Sequence, residues 1–150
     1  MERHELTPEA RAALIGLAPF DEGAIDKFCP PSYADNQDIP DEYKAIFEQR
    51  PYTQREKERV TVLMRQVADP KQRDKVQDKE IDKYVRMTVK GVSKLFDIGK
   101  EDYIEFEADT DVGCMSAPQY DLLTSKCRAE LMWNALRISG LLDVEKLGLG

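Results

Sequence analysis

Apolar residues recur with helical spacing in three stretches of the chain, and the first of these is residues 54–68. Thr53 and Glu56 form the T-x-x-E pattern of a capping box, in which two side chains satisfy free backbone N–H groups at the start of a helix. The pattern therefore predicts a helix over residues 54–68. Its apolar stripe consists of Val60, Leu63, Met64 and Val67.

The second stretch, residues 71–96, predicts the longest helix of the protein. With about 100° of rotation per residue, its apolar side chains fall on one face. They are Ile81, Tyr84, Val85, Thr88, Val89, Val92, Leu95 and Phe96. Basic residues recur at spacings of three or four on the opposite side, which predicts a basic ridge along the same helix. The ridge consists of Lys75, Lys79, Lys83, Arg86, Lys90 and Lys94.

The distribution of charge bears on the role of this ridge. The 150 residues carry a net charge of −7, and a basic middle third lies between two acidic ends. The ridge could follow the phosphates of a nucleic acid, contact an acidic partner or lie against the protein's own acidic ends. The overall negative charge argues against nucleic acid, because the acidic flanks repel phosphate at a distance. A solvated or internally paired ridge is the simplest interpretation.

The third stretch predicts a final helix over residues 117–138, interrupted near Thr124–Ser125 and ended by Gly140. Ser116 and Gln119 give an S-x-x-Q capping pattern at its start. Apolar residues occupy two nearly opposite sides, so this helix is either sandwiched inside the domain or leaves one side for a partner. The first stripe is Cys127, Leu131, Ala135 and Ile138, and the second is Ala129, Met132, Trp133 and Leu136.

The candidate partner-binding residues are large apolar side chains of two regions. The second stripe is preferred because tryptophan is enriched at binding hot spots. The segment "IPDEYKAIFEQRPYT" is expected to hold a short helix over residues 41–49 and then a proline-restricted joint with aromatic anchors. A plain connector is the alternative for this segment. The candidate residues are Met132, Trp133, Leu136, Phe47 and Tyr52.

The remaining patterns complete the predicted fold. "YIEFEAD" alternates apolar and acidic residues, which predicts a small hairpin or an edge strand. Thr7 and Pro8 begin a helix near the N-terminus, and the prolines of "CPPSYADNQDIP" predict a loop. We therefore expect a mainly α protein. Residues 1–38 form an N-terminal arm with a short helix, and residues 39–150 form a single compact helical domain with a small two-stranded β element before the last helix.

No sequence pattern of a catalytic or metal site is present. The chain contains no P-loop, GxGxxG, HExxH or GxSxG. Cys29, Cys114 and Cys127 are far apart and are expected to be reduced thiols. No apolar run reaches the roughly 18 residues that a membrane span requires, and the charged start "MERHELTPEA" is unlike a signal peptide. We expect a cytoplasmic protein without enzymatic activity, cofactor or membrane contact.

Four phrases of the chain resemble small tail assembly chaperones of long-tailed bacteriophages. They are "IPDEYKAIFEQRPYTQRE", "VRMTVKGVSKLFDIG", "IEFEAD" and "DLLTSKCRAELMWNALRISGL". The resemblance spans about residues 39–142 and rests on an F-x-x-R-P phrase, a G-x-x-x-L-x-D turn, an I-x-F strand and a closing helix. It implies a chaperone in the host cytoplasm that binds the phage tape-measure protein, keeps it soluble and recruits tail-tube subunits.

Two other functions fit the same composition. A structural tail or head–tail component would persist in the virion, whereas a chaperone would not. A nucleic-acid-binding regulator would use the basic ridge and would bind more weakly as the salt concentration rises. Homo-oligomerisation is compatible with each of these functions.

Overall fold

The computed structural model of the protein describes residues 7–10, 25–109 and 114–142. In this part of the chain, short strands form three antiparallel sheets. The strands are β1 (Asp26–Phe28), β2 (Ile46–Gln49), β3 (Val89–Ser93), β4 (Leu95–Asp97), β5 (Asp102–Ile104), β6 (Ala108–Asp109) and β7 (Cys114–Met115). The helices are α1 (Pro31–Ala34), α2 (Gln54–Ala68), α3 (Asp78–Arg86), α4 (Ala117–Tyr120) and α5 (Ser125–Ile138), with 3₁₀ turns at Asp41–Tyr43 and Arg73–Lys75.

The architecture is a mixed α/β fold, so the prediction of a mainly α domain with one two-stranded element is wrong. The largest sheet has the strand order β1–β2–β3, while β4 pairs with β5 and β6 pairs with β7. The strands expected around "YIEFEAD" are present, but β5 and β6 belong to different sheets. The error arises mainly in two regions that were predicted to be helical.

Strand β2 replaces most of the helix predicted over residues 41–49. Only Asp41–Tyr43 form a helical turn, which follows Pro40. From Ala45 to Gln49 every second side chain is fully buried, which is the two-residue period of a strand with one face on the core. So short an alternation is a weak signal, and the antiparallel pairing of β2 with β1 and β3 decides the structure.

The helix predicted over residues 71–96 is wrong at both ends, because α3 covers only Asp78–Arg86. A 3₁₀ turn at Arg73–Lys75 precedes it, and strands follow it. Val89 and Val92 are β-branched, which favours a strand, although their spacing of three imitates a helical stripe. Gly91 lies so close to Glu48 of the paired strand that a Cβ atom would come within 2.9 Å of a carboxylate oxygen. A side chain at this position would therefore displace the Glu48 carboxylate from the face of β3.

Helix α5 lies between two apolar clusters that together form the core. Its first half joins a cluster on the three-stranded sheet, which includes Phe47, Val89, Cys127 and Leu131. Its second half joins a cluster on α2, which includes Tyr52, Val60, Ala135 and Leu136. Met132 packs against both clusters. The two apolar stripes thus belong mainly to a helix sandwiched inside the domain, which was one of the two alternatives.

A buried polar network connects α5 to the largest sheet. Gln49 and Asn134 are fully buried. The Gln49 amide donates to Thr88 Oγ1 at 3.1 Å and to the carbonyl oxygen of Leu131 at 3.0 Å. The Asn134 amide donates to Gln49 Oε1 at 2.8 Å and to the Asp26 carboxylate at 3.0 Å. These bonds fix the position of α5 against β1 and β2.

The capping box predicted at the start of α2 is confirmed. Thr53 Oγ1 accepts a hydrogen bond from the Glu56 N–H at 3.3 Å, and Glu56 Oε1 accepts one from the Thr53 N–H at 2.8 Å. Arg50 also pairs with the Glu56 carboxylate at 2.8 Å. Burial alone would raise the pKa of Glu56, but the hydrogen bonds from Arg50 and Thr53 outweigh it and lower this pKa.

The interruption predicted near Thr124–Ser125 and the end predicted at Gly140 are both confirmed, because α5 begins at Ser125 and ends before Gly140. Thr124 Oγ1 accepts from the Cys127 N–H at 3.1 Å and caps the helix start. Gly140 has a φ of +71°, a left-handed conformation that favours glycine and ends the helix. The Leu141 N–H then donates to the carbonyl oxygen of Leu136 at 2.8 Å, which completes a Schellman-type end.

The capping box predicted at Ser116 and Gln119 is wrong. The Ser116 side chain makes no capping hydrogen bond, and its oxygen is buried without a partner among the described residues. Gln119 instead accepts from the Glu107 N–H at 2.8 Å and donates to the carbonyl oxygen of Glu105 at 2.7 Å. This buried amide therefore holds the segment between β5 and β6.

Part of the predicted N-terminal arm is joined to the domain. Strand β1 pairs with β2, and the Glu130 carboxylate of α5 accepts from the Ser32 N–H of α1 at 2.9 Å. Near the N-terminus, Thr7 Oγ1 accepts from the Ala10 N–H at 3.2 Å, which confirms the predicted helix start. The rest of that predicted helix lies outside the described residues.

The three cysteines are free thiols, as the sequence predicted. Cys114 and Cys127 are buried. Burial raises the pKa of Cys114 to about 11 and that of Cys127 to about 12. Both thiols therefore stay protonated at neutral pH.

Candidate protein-binding groove

Two of the predicted partner-binding residues are inaccessible. Phe47 is completely buried in the cluster on the sheet, and Tyr52 is buried against α2. The Tyr52 hydroxyl donates to the carbonyl oxygen of Tyr84 at 2.8 Å, and its N–H donates to Ser139 Oγ at 2.9 Å. Phe47 and Tyr52 are therefore core residues, and the prediction that they belong to a partner-binding surface is wrong.

The three candidates on α5 have different environments. Met132 is largely packed against the core, and Leu136 is buried in it. Trp133 is 50% exposed, and the Arg137 guanidinium lies 5.8 Å from its ring centroid. Of the three candidates Met132, Trp133 and Leu136, Trp133 is the one that presents a large apolar surface to solvent.

The predicted basic ridge does not form one helical surface. Lys79 and Lys83 are exposed on α3. Arg86 is engaged inside the protein by an ion pair with β6 and a hydrogen bond to a carbonyl oxygen of β7. Lys90 lies on β3, and Lys94 lies between β3 and β4. The prediction of a basic ridge along one helix is wrong, because α3 ends at Arg86 and the later basic residues lie on or beside strands.

The structure instead brings exposed aromatic and aliphatic side chains together in a groove, here called the aromatic groove. Four segments contribute: α1 with the loop that follows it, the β3–β4 junction, the β4–β5 hairpin and the α4–α5 connection. Its aromatic residues are Tyr33, Tyr43, Phe96 and Tyr103, and its other residues are Ile39, Lys94, Ile98 and Leu122. The groove encloses about 430 Å³.

Three of the four aromatic rings contact one another and form one wall of the groove. Phe96 and Tyr103 are directly paired across β4 and β5, with ring centroids 5.5 Å apart in an edge-to-face arrangement. Tyr103 also stacks on Tyr43 at 6.2 Å. Tyr33 is tilted against the core residue Phe47 at 6.5 Å, and burial raises the pKa of its hydroxyl to about 12. These contacts position the rings before any partner arrives.

The groove concentrates much of the exposed apolar surface of the described residues. Five of their ten exposed large hydrophobic side chains line it, and Ile98 in the hairpin turn is 81% exposed. Single exposed apolar residues are common on protein surfaces, whereas these five side chains lie together around one groove. The groove is therefore the candidate binding surface of the described residues.

A second cleft has a more polar lining and is less suited to a partner. It encloses about 350 Å³ and includes Asp78, Asp82 and Arg128. Burial raises the pKa of Asp82, while the charge of Arg128 opposes this shift. The Arg128 guanidinium already lies 5.6 Å from the Tyr120 ring centroid. The charges of this cleft thus partly balance one another, and its aromatic contact is internal.

Comparisons of the chain with protein-family models, curated proteins and solved structures found no match. Within the described residues, no helix is long and apolar enough to cross a membrane. The same residues contain no group of three or more His, Cys, Asp or Glu side chains that could hold a metal ion. The aromatic groove is therefore the feature from which we infer a function.

The groove is not evident from the sequence, because two of its aromatic residues lie in segments with helical spacing. Phe96 falls in the helix predicted over residues 71–96, and Tyr43 falls in the helix predicted over residues 41–49. Gly99 does predict a turn before "YIEFEAD", but the first strand of the hairpin, Leu95–Asp97, lies mostly within the stretch that was predicted to be helical. A hairpin centred on that turn would have placed Phe96 opposite Tyr103.

Proposed function

We propose that this protein is a non-enzymatic assembly chaperone that binds an apolar segment of a client protein in the aromatic groove. The observation that carries this proposal is the ordered, exposed wall formed by Tyr43, Phe96 and Tyr103. Aromatic side chains bury a large area at low cost in conformational entropy, and they dominate binding hot spots. A groove of this kind suits a segment that would otherwise expose its apolar side chains to water.

The nature of the client comes from the sequence resemblance. Tail assembly chaperones of long-tailed bacteriophages bind a long, helical, aggregation-prone tape-measure protein, and they recruit tail-tube subunits in the host cytoplasm. We assign the tape-measure protein as the client on this basis. The groove supports the assignment because an amphipathic segment can place its apolar side chains into an apolar groove.

Co-expression with the client tests this function. The tape-measure protein encoded in the same phage genome is expressed alone and together with the wild-type chain. We expect the soluble fraction of the tape-measure protein to rise several-fold and the two proteins to co-purify. The proposal fails if the tape-measure protein stays insoluble and no complex forms.

Mass spectrometry of purified phage particles separates this function from the structural alternative. A chaperone is abundant in the lysate and absent from particles. A fixed copy number in the particles would instead identify a structural tail or head–tail component and would overturn the chaperone function.

A further inference from the structure

One charged side chain lines the aromatic groove, and its backbone conformation is unusual. Lys94 has a φ of +60°, in the left-handed region that a residue with a Cβ atom adopts only with strain. It lies between β3 and β4, where the chain passes from one sheet to another. Glycine would adopt this positive φ without strain, so the backbone conformation does not explain why a lysine occupies this position.

The ammonium group of Lys94 is directed to the groove wall. Its Nζ atom lies 5.9 Å from the centroid of the Tyr43 ring, which in turn stacks on Tyr103. A cation over an aromatic face is attracted by the ring quadrupole. This contact places the positive charge beside the apolar surface that a client would cover.

The Lys94 charge is available to a partner, whereas that of nearby Lys44 is used inside the protein. Lys44 Nζ forms an ion pair with Asp41 at 3.0 Å and donates to the carbonyl oxygen of Ala34 at 2.9 Å. Among the described residues, none forms an ion pair with Lys94 and no carboxylate lines the groove. The groove thus combines an apolar wall with one cation.

We propose that the aromatic groove selects client segments in which an apolar or aromatic residue is accompanied by a carboxylate, and that Lys94 pairs with this carboxylate. The inference rests on the proposed function and specifies the chemistry of the segment that is bound. A carboxylate placed against Lys94 would be shielded from water by the aromatic wall and by the client itself, which strengthens the pairing. The partner is therefore an apolar, locally acidic stretch of protein.

The net negative charge of the protein does not cancel this local preference. The net charge of −7 acts at long range, and salt screens exposed charges beyond about 8 Å at physiological ionic strength. Lys94 acts at contact distance. Long-range repulsion would slow the approach of an acidic segment, whereas Lys94 would lengthen the lifetime of the bound complex.

A peptide selection with swapped charge tests this inference. A random library of 12-residue peptides is selected on the wild-type protein, on Lys94→Glu and on the control Lys71→Glu, which makes the same charge change at an exposed site outside the groove. We expect wild type and Lys71→Glu to enrich apolar residues with Asp or Glu at a constant spacing. Lys94→Glu should enrich Lys or Arg at that position instead.

A second variant separates the charge from the fold. Lys94→Gly removes the charge and also relieves the backbone strain, so its thermal unfolding midpoint should be no lower than that of the wild type. Its dissociation constant for a wild-type-selected peptide should rise about tenfold, the change expected on losing one partly shielded ion pair. An unchanged dissociation constant with a native unfolding midpoint would overturn the inference.

The outcomes distinguish this inference from the proposed function. Suppose that the selected peptides lose binding to Phe96→Ser, which supports the groove as the binding site. If they nevertheless carry no acidic position, or if Lys94→Glu selects the same acidic position as the wild type, the role of Lys94 alone is overturned. Selection of no peptides, or binding that Phe96→Ser leaves unchanged, would overturn the groove as a client site. The protein could also self-associate in a way that blocks peptide binding and that Phe96→Ser abolishes. This result would assign the groove to a second copy of the chain, and it would overturn both the client site and the role of Lys94.

Discussion

Replacing Phe96 and Ile98 together with serine is expected to weaken client binding by about 100-fold. Truncating one aromatic hot-spot residue costs about 2 kcal/mol, and losing the neighbouring aliphatic contact brings the sum near the 2.8 kcal/mol that corresponds to 100-fold. The measurement is isothermal titration of the wild type and of the double variant with a soluble fragment of the proposed client, the tape-measure protein. A reduction of less than about threefold would exclude the groove as the main contact.

The fold should tolerate this double change. Ile98 lies in the hairpin turn and is 81% exposed, so its replacement removes little packing. Phe96 loses its edge-to-face contact with Tyr103, a cross-strand pair worth about 0.2–1 kcal/mol. The matched control is Val62→Ser, which removes an apolar side chain of 41% exposure from α2, outside the groove. Equal loss of binding in the control would indicate unspecific hydrophobic association.

Replacing Gln49 with methionine is expected to destabilise the protein by about 3 kcal/mol. Methionine has a similar length, so the change removes hydrogen bonds with little change of volume. It leaves Thr88 Oγ1 without a donor and Asn134 Nδ2 without one of its two acceptors, and it removes the bond to the Leu131 carbonyl oxygen. Thr88 still donates to the Val85 carbonyl oxygen and Asn134 still donates to Asp26, so the loss is that of three buried hydrogen bonds, each worth about 1 kcal/mol.

Urea denaturation measures this effect as a change in the free energy of unfolding. The matched control is Gln72→Met, the same replacement at an exposed position, which should change stability by less than about 0.5 kcal/mol. Since small proteins are stable by only about 5–15 kcal/mol, a loss of 3 kcal/mol is large. A loss below about 1 kcal/mol for Gln49→Met would mean that the network contributes little to the attachment of α5.

Several helix ends could be predicted because their signals are local, although the same kind of signal failed at Ser116. Thr53 with Glu56, Thr124 and Gly140 each act within a few residues of the helix end that they mark. The strands could not be predicted with equal success, because their stability comes from partners far away in the sequence. Gln49 and Val89 are paired strand residues forty positions apart, and nothing in either segment alone identifies the other.

The aromatic groove was harder to predict than the helices and strands, because its lining residues are far apart in the sequence. Tyr43, Lys94 and Tyr103 come from separate elements that tertiary structure brings together. Trp133 drew attention in the sequence because the chain has a single tryptophan. The structure leaves it half exposed but supplies a larger, ordered apolar surface elsewhere.

The most direct test of the account is site-specific photo-cross-linking during phage assembly. Benzoylphenylalanine replaces Ile98 in the groove and, in a separate variant, Trp133 on α5, and infected cells are irradiated. We predict that the tape-measure protein becomes cross-linked through position 98 and not through position 133. Cross-linking through position 133 alone would contradict the account and would return the binding site to α5.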